Sequence, residues 1–186
     1  MTTTTKTILG VLLAAASLSA QDANLTFTAT ATISSPAKKA SLPVTVHIDR
    51  FIADADRDKL KVALLAHDQS ALKKQLASLP DLGSITVVEK QTPIKYAYAR
   101  PTASGRLITV VTAQPVYFLG GGEKNAKPKA GYDLALALLV LDGSDSGDGE
   151  LDPAVKVKLE NGAIVTDGYG SEKVRLVKVV KVGKVQ

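Results

Sequence analysis

The sequence predicts an α+β domain in which a curled antiparallel sheet of about eight strands holds one helical hairpin, with a β-barrel carrying a helical lid as the alternative. Three observations carry that expectation. Apolar and polar residues alternate strictly from Asn24 to Ile33; apolar residues recur at helical spacing between Asp54 and Pro80; and after Pro80 short apolar runs are separated by turn-forming residues at hairpin-like intervals.

Leu25, Phe27, Ala29, Ala31 and Ile33 share one face of the first strand, and Thr26, Thr28, Thr30 and Thr32 the other. Ser34, Ser35 and Pro36 turn the chain, and alternation resumes from Pro43 to Phe51 with Val44, Val46 and Ile48 directed to a core. Asp54, Asp56 and Asp58 open the helical region, where carboxylates complement the positive end of a helix and Asp54 is suited to cap it. Leu60, Ala63, Leu64 and His67 then follow one helical face, with His67 placed to interact with the helix C-terminus. A second helix starts near Asp68, shows Leu72, Leu76 and Leu79 on one face, and stops at Pro80.

Further strands are expected at Ile85–Val88, Ile94–Arg100, Leu107–Ala113 and Val116–Leu119, followed by a loop from Gly120 to Gly131. Tyr132–Leu141 is apolar on both faces and reads as a central, fully covered strand. Val155–Leu159 alternates, Asn161-Gly162 marks a tight hairpin turn, and Val174–Val182 switches its apolar face around Leu176-Val177, the mark of a bulge.

The amino-terminal segment reads as an export signal. Lys6 precedes an apolar run from Ile8 to Leu18, and small residues follow, with cleavage placed between Ala16 and Ala23. Residues 1–20 are therefore assigned to a signal peptide and residues 21–186 to a single α+β domain. The apolar run is shorter than the roughly 20 residues that span a bilayer, and charges interrupt every later one. The expected location is exported, periplasmic or secreted. About 165 residues remain after cleavage, enough to build a core without disulfides. The chain has no cysteine, which excludes disulfides, thiolate metal sites and a cysteine nucleophile. It carries 23 Lys and Arg against 18 Asp and Glu, and loss of Lys6 with the signal lowers the formal charge of +5 by one. That excess is modest and scattered, so a nucleic-acid partner is not expected, whereas a small ligand or a cell-envelope component is.

Four groups of residues have chemical potential. The run Asp142-Gly143-Ser144-Asp145-Ser146-Gly147-Asp148-Gly149-Glu150-Leu151-Asp152 contains Asp142, Asp145, Asp148, Glu150 and Asp152, oxygen ligands of the kind calcium takes. Its spacing is not that of an EF-hand, and the plain alternative is a solvated hairpin loop. Calcium is the one cofactor that the sequence brings forward. Thr45, His47 and Asp49 share a strand face, and an imidazole beside a carboxylate is the raw material of general-base catalysis. Tyr96, Tyr98 and Arg100 project together from another strand and can form a stacking platform or pack against cross-strand neighbours. The Gly120–Gly122 run lacks the Lys-Ser/Thr and the helix of a phosphate loop.

Val46-His47-Ile48-Asp49-Arg50-Phe51, Asp56-Arg57-Asp58-Lys59-Leu60, Tyr98-Ala99-Arg100 and Gly105-Arg106-Leu107-Ile108 resemble a group of uncharacterised exported bacterial proteins. The resemblance covers most of the chain after the signal and implies export and a shared fold, without an activity. The expectation is thus a non-enzymatic exported domain that binds a small ligand or an envelope partner. The alternatives are a hydrolase using His47 and Asp49 and a calcium-dependent structural module.

Overall fold

The computed structural model describes residues 22–34, 39–66, 68–116, 130–160, 163–168 and 174–183. The signal segment, His67, the Gly120–Gly122 run and the Asn161-Gly162 turn lie outside them.

Alternating sequence becomes long antiparallel strands: β1 (Asp22–Ser34) and β2 (Lys39–Arg50) lead into helices α1 (Asp54–Leu65) and α2 (Gln69–Ser78). β3 (Gly83–Val87), β4 (Lys90–Thr102), β5 (Gly105–Thr112) and β6 (Leu134–Asp142) follow as a meander. β7 (Ser146–Glu160), β8 (Ala163–Gly168) and β9 (Val174–Lys181) complete the chain. The hydrogen-bonded order is β6-β5-β4-β3-β2-β1-β9-β7-β8, and β6 also pairs with β7. That extra pairing joins the ends of the sheet, so eight strands form a closed antiparallel barrel and β8 extends from it as the partner of the far half of β7. The alternative expectation, a barrel with helices, fits this architecture, and the curled antiparallel sheet is more closely described as a closed one. A closed sheet has no exposed edges within the ring.

Strand alternation sorts the side chains. Phe27, Ile48, Ile85, Ile94, Ile108, Leu139, Leu141 and Leu176 are inside the barrel and essentially inaccessible to water. Thr28, Asp49 and Val140 face out and are exposed. Among the described residues no helix is long and apolar enough to cross a membrane.

Among the described residues the interior side chains pack into one apolar cluster. Gly147 and Gly149 of β7 face Leu141 and Leu139 across the β6–β7 ladder. A Cβ on Gly147 would collide with the backbone of Val140, and one on Gly149 with that of Leu138. The two glycines therefore let strands approach where the barrel is tightest. At one end Arg106 reaches over the Phe27 ring, 5.9 Å from its centroid, and pairs with Asp145 at 2.7 Å. Asp145 also holds Lys181 at 2.9 Å, so an ion triad closes that end.

The helical hairpin lies on the outer face of β4, β5, β6 and the far half of β7. Asp68 caps α2 by accepting a hydrogen bond from the Ala71 amide at 2.9 Å, and Pro80 follows its end. At α1 the N-cap is Ala53 rather than Asp54; Asp54 enters the first turn and pairs with Arg57 at 3.0 Å. The hairpin is tied down at its edges. The Gln69 side-chain oxygen accepts from the Val157 amide at 3.2 Å, Lys73 meets Asp133 at 3.1 Å, and Lys95 donates to the Leu79 carbonyl at 2.8 Å.

Several strands exceed their expected lengths. β4 runs through Pro93 and Pro101, and β7 starts inside the acidic run and continues through Pro153. Val116 lies outside the strands, its amide bonded to the Pro153 carbonyl at 2.9 Å, and residues 117–119 of that expected strand lie outside the described residues. The expected covered strand is β6, and both of its faces are covered only near its start: Val140 is 56% exposed.

Adjacent residues on opposite faces of β6 provide a test. Leu139→Ala should destabilise the protein by about 2–5 kcal/mol, the cost of a core cavity, whereas Val140→Ala should stay within about 0.5 kcal/mol. Urea unfolding of both variants measures the difference, and equal losses would contradict the inward placement of Leu139.

Candidate functional site

An apolar crevice lies where the helical hairpin meets the outside of the barrel. Helical periodicity places Arg57, Leu60, Lys61 and Leu64 on one stripe of α1, and Leu72 and Leu76 on the facing stripe of α2. Strand alternation supplies the opposite wall: Tyr96 from β4, Thr109 and Val111 from β5, Leu134 and Leu136 from β6, and Val157 from β7. The register sets Val111 opposite both Tyr96 and Leu136, so three strands present a continuous surface. The crevice encloses about 190 Å³. The same sheet face thus has its inner side packed in the barrel core and its outer side open to a concave, mostly apolar space.

Polar groups gather at the Arg57 end. The Arg57 guanidinium lies 4.7 Å from the centroid of the Tyr98 ring, a cation–π contact, and one terminal nitrogen pairs with Asp54. Its Nε is buried without a hydrogen-bond partner. The Tyr96 and Tyr98 rings are tilted by 45° with centroids 6.5 Å apart. Burial raises the Tyr96 pKa, so its hydroxyl remains a proton donor well above neutral pH. Lys61 also lines the crevice, with its ammonium 2.7 Å from Asp58.

The candidate platform is therefore only partly assembled. Tyr96 and Tyr98 are beside the crevice, while Arg100 is exposed farther along β4 opposite Leu107 and does not line it. Arg57, Thr109, Val111 and Leu136 belong to the site although none was singled out in the sequence. The stripe Arg57-Leu60-Leu64 was a readable signal for the helical wall, but the strand wall depends on pairing that periodicity does not specify.

His47 and Asp49 do come together, and with a third group. His47 Nε2 is 2.9 Å from Asp49 Oδ1, and His47 Nδ1 is 2.8 Å from Thr26 Oγ1. Thr26 is the cross-strand partner of His47 on β1, which explains the contact. Because a carboxylate only accepts, the neutral imidazole donates from Nε2 to Asp49 and accepts the Thr26 hydroxyl proton at Nδ1. The result is a hydroxyl–imidazole–carboxylate chain on the outer barrel wall, on the exposed face of β1 and β2. Thr45 lies on the same outer face, opposite Thr28.

The acidic residues are dispersed rather than gathered around an ion. Asp142 Oδ1 accepts from the Ser144 amide at 2.8 Å, the Ser144 hydroxyl at 2.7 Å and the Ser146 amide at 3.0 Å, forming the β6–β7 turn. Asp145 is held by Arg106 and Lys181, and Asp148 accepts from the Lys178 amide at 3.3 Å. Glu150 faces Arg175 across the β7–β9 ladder, and Asp152 stands opposite Leu136 on β6. Among the described residues no three His, Cys, Asp or Glu side chains converge as metal ligands. The expected acidic loop is in fact a tight turn at Gly143–Asp145 followed directly by strand.

Comparison of the chain with protein-family models, curated proteins and solved structures found no match.

The three hydrogen bonds to Asp142 lower its pKa, the Ser144 hydroxyl contributing most, followed by the Ser146 and Ser144 amides. Its folded pKa lies below its unfolded one, so the stabilisation is present above the unfolded value and is lost as pH falls through the folded value. Carbon-detected NMR titration should place Asp142 below the ordinary aspartate range, and Asp142→Ala should abolish that pH-dependent contribution. A midpoint at or above the ordinary range would contradict the turn's hydrogen bonding.

Proposed function

We propose that the chain is an exported, non-enzymatic protein, periplasmic or secreted, that binds a small and mainly apolar ligand in the crevice between the helical hairpin and the barrel. One observation carries the reading: a concave apolar space stands beside a few convergent polar groups, the combination typical of ligand sites. The packed interior directs attention to this outer crevice. Its walls belong to a rigid barrel on one side and to a hairpin anchored at its edges on the other, so the space exists before a ligand arrives. Preorganisation of that kind limits the ordering cost of binding.

The neutral fluorophore N-phenyl-1-naphthylamine is a suitable probe. It should bind with enhanced emission, and Val111→Phe, which fills the crevice, should weaken binding at least about tenfold, equivalent to about 1.4 kcal/mol. Circular dichroism and thermal melting verify that the variant is folded. Unchanged affinity in a folded Val111→Phe protein rejects the crevice as the site.

A second reading is favoured by the hydrogen-bond chain on the opposite strands. Thr26, His47 and Asp49 have the connectivity of a nucleophile, its general base and the group that orients the base. As a hydrolase, the protein would use Thr26 Oγ1 to attack an ester's acyl carbon while His47 takes the hydroxyl proton and passes it to the departing alcohol; water, deprotonated by His47, would then attack the acyl-threonine, releasing the acid and restoring the Thr26 hydroxyl. p-Nitrophenyl acetate tests this directly. Wild-type protein should exceed the buffer rate, with Thr26→Val and His47→Ala returning it to background; a rate indifferent to both substitutions removes this activity.

A further inference from the structure

We propose that the ligand of the crevice is a single-chain amphiphile with an anionic head, and that Arg57 is the residue that reads the head. The inference rests on the binding function proposed above and adds its chemical class. It follows from the charge of the crevice wall. Along α1 the lining runs Arg57, Leu60, Lys61 and Leu64; Lys61 is exposed and paired with Asp58, so the wall passes from the Arg57 guanidinium to the hydrocarbon of Leu60 and Leu64. From Arg57 to Leu64 the helix rises about 10 Å, at roughly 1.5 Å per residue, which suits a medium-length chain lying along the helix. The facing wall matches this polarity, since Tyr96 lies near the cationic end while Val111 and Leu136 continue the hydrocarbon.

The guanidinium has bonding capacity to spare. It offers five N–H donors. Asp54 takes one terminal nitrogen, the Tyr98 ring lies against the guanidinium plane, and Nε is buried without a partner. A carboxylate or sulfonate at this end would receive charge-assisted hydrogen bonds from the unused donors. The Tyr96 hydroxyl, kept protonated by burial, adds a neutral donor. Towards Leu64 the one cation of this wall, Lys61, is already paired with Asp58 at 2.7 Å, and beyond it an anion would meet only hydrocarbon, where burying an unpaired charge is costly. Orientation is thereby fixed with the head at Arg57 and the tail towards Leu64. A cationic head would meet the guanidinium's repulsion, and a neutral one would leave its donors unused.

Three probes of equal chain length separate these cases: octanoate, 1-octanol and octylammonium, each used to displace N-phenyl-1-naphthylamine at neutral pH. Octanoate should compete at least tenfold better than 1-octanol, and octylammonium should be the weakest. Arg57→Gln should weaken octanoate at least fivefold more than it weakens 1-octanol, bringing the two to within twofold of each other. Arg57→Lys should retain part of the preference. Displacement by 1-octanol equal to that by octanoate in the wild type overturns the assignment of an anionic head while leaving the crevice as a binding site. Equal loss of both ligands in Arg57→Gln likewise overturns it, showing that Arg57 only shapes the wall. Failure of the fluorophore and of all three probes to bind rejects the crevice reading itself, and this inference with it.

Discussion

Closure of the barrel depends on β9, which enters between β1 and β7 and converts the seven-strand path from β1 to β7 into an eight-strand ring. The fit is irregular at one place. Thr28 and Thr30 of β1 oppose Val180 and Val177, and Gly147 and Gly149 of β7 oppose Val179 and Leu176, so β9 carries one extra residue against both neighbours. The bulge places Lys178 at φ 55°, a left-handed conformation that lysine rarely adopts. Local strain of this sort persists only where the surroundings determine it. Here Asp148 accepts the Lys178 amide, Val179 is buried beyond the bulge, and Lys181 is held by Asp145. Bulges increase local twist, and added twist is what a small barrel needs at the strand that seals it.

That view gives the acidic run a structural purpose. Asp142 builds the β6–β7 turn, Asp145 joins Arg106 to Lys181 across the barrel end, and Asp148 supports the bulge. Three carboxylates that resemble ion ligands in linear sequence are distributed among three jobs along one seam. Their negative charge is offset by amides, by Arg106 and by Lys181. The interspersed glycines follow from the same seam, because Gly147 and Gly149 permit the close approach of β7 to β6.

Many local features were legible from neighbours in the chain, although the cap expected at Asp54 falls on Ala53. The alternation of β1, the Asp68 cap, the stop at Pro80 and the β9 bulge all arise from short-range periodicity or from single-residue conformational limits. The lengths of β4 and β7 were hidden by prolines, which end most strands but are tolerated where a ladder hydrogen bond is dispensable. Barrel closure was hidden for another reason: β1 and β9 are brought together by the whole fold, and alternation identifies a buried face without naming its partner. The candidate sites divide in the same way. His47 and Asp49 are neighbours on one strand and could be paired by inspection, but Thr26 joins them only through the β1–β2 register. Tyr96 and Tyr98 were visible as a pair, whereas the wall that Tyr96 shares with Val111 and Leu136 needed three strands in register.

A packed barrel also determines where specificity can reside. The interior side chains pack against one another, so admitting a ligand there would require displacing close-packed core and weakening closure. The outer face of β4–β6 is different: its apolar residues are covered by a hairpin held through Gln69, Lys73 and Lys95 at its edges, with the crevice between those anchors. Leu60, Leu72, Leu76 and Leu134 serve both the core and the crevice wall, whereas Thr109, Val111 and Leu136 are only partly buried and leave more room for change. In β5 structural and binding demands fall on opposite sides of the strand, and its period of two keeps them separate. There Ile108 and Val110 serve the core while Thr109 and Val111 line the crevice.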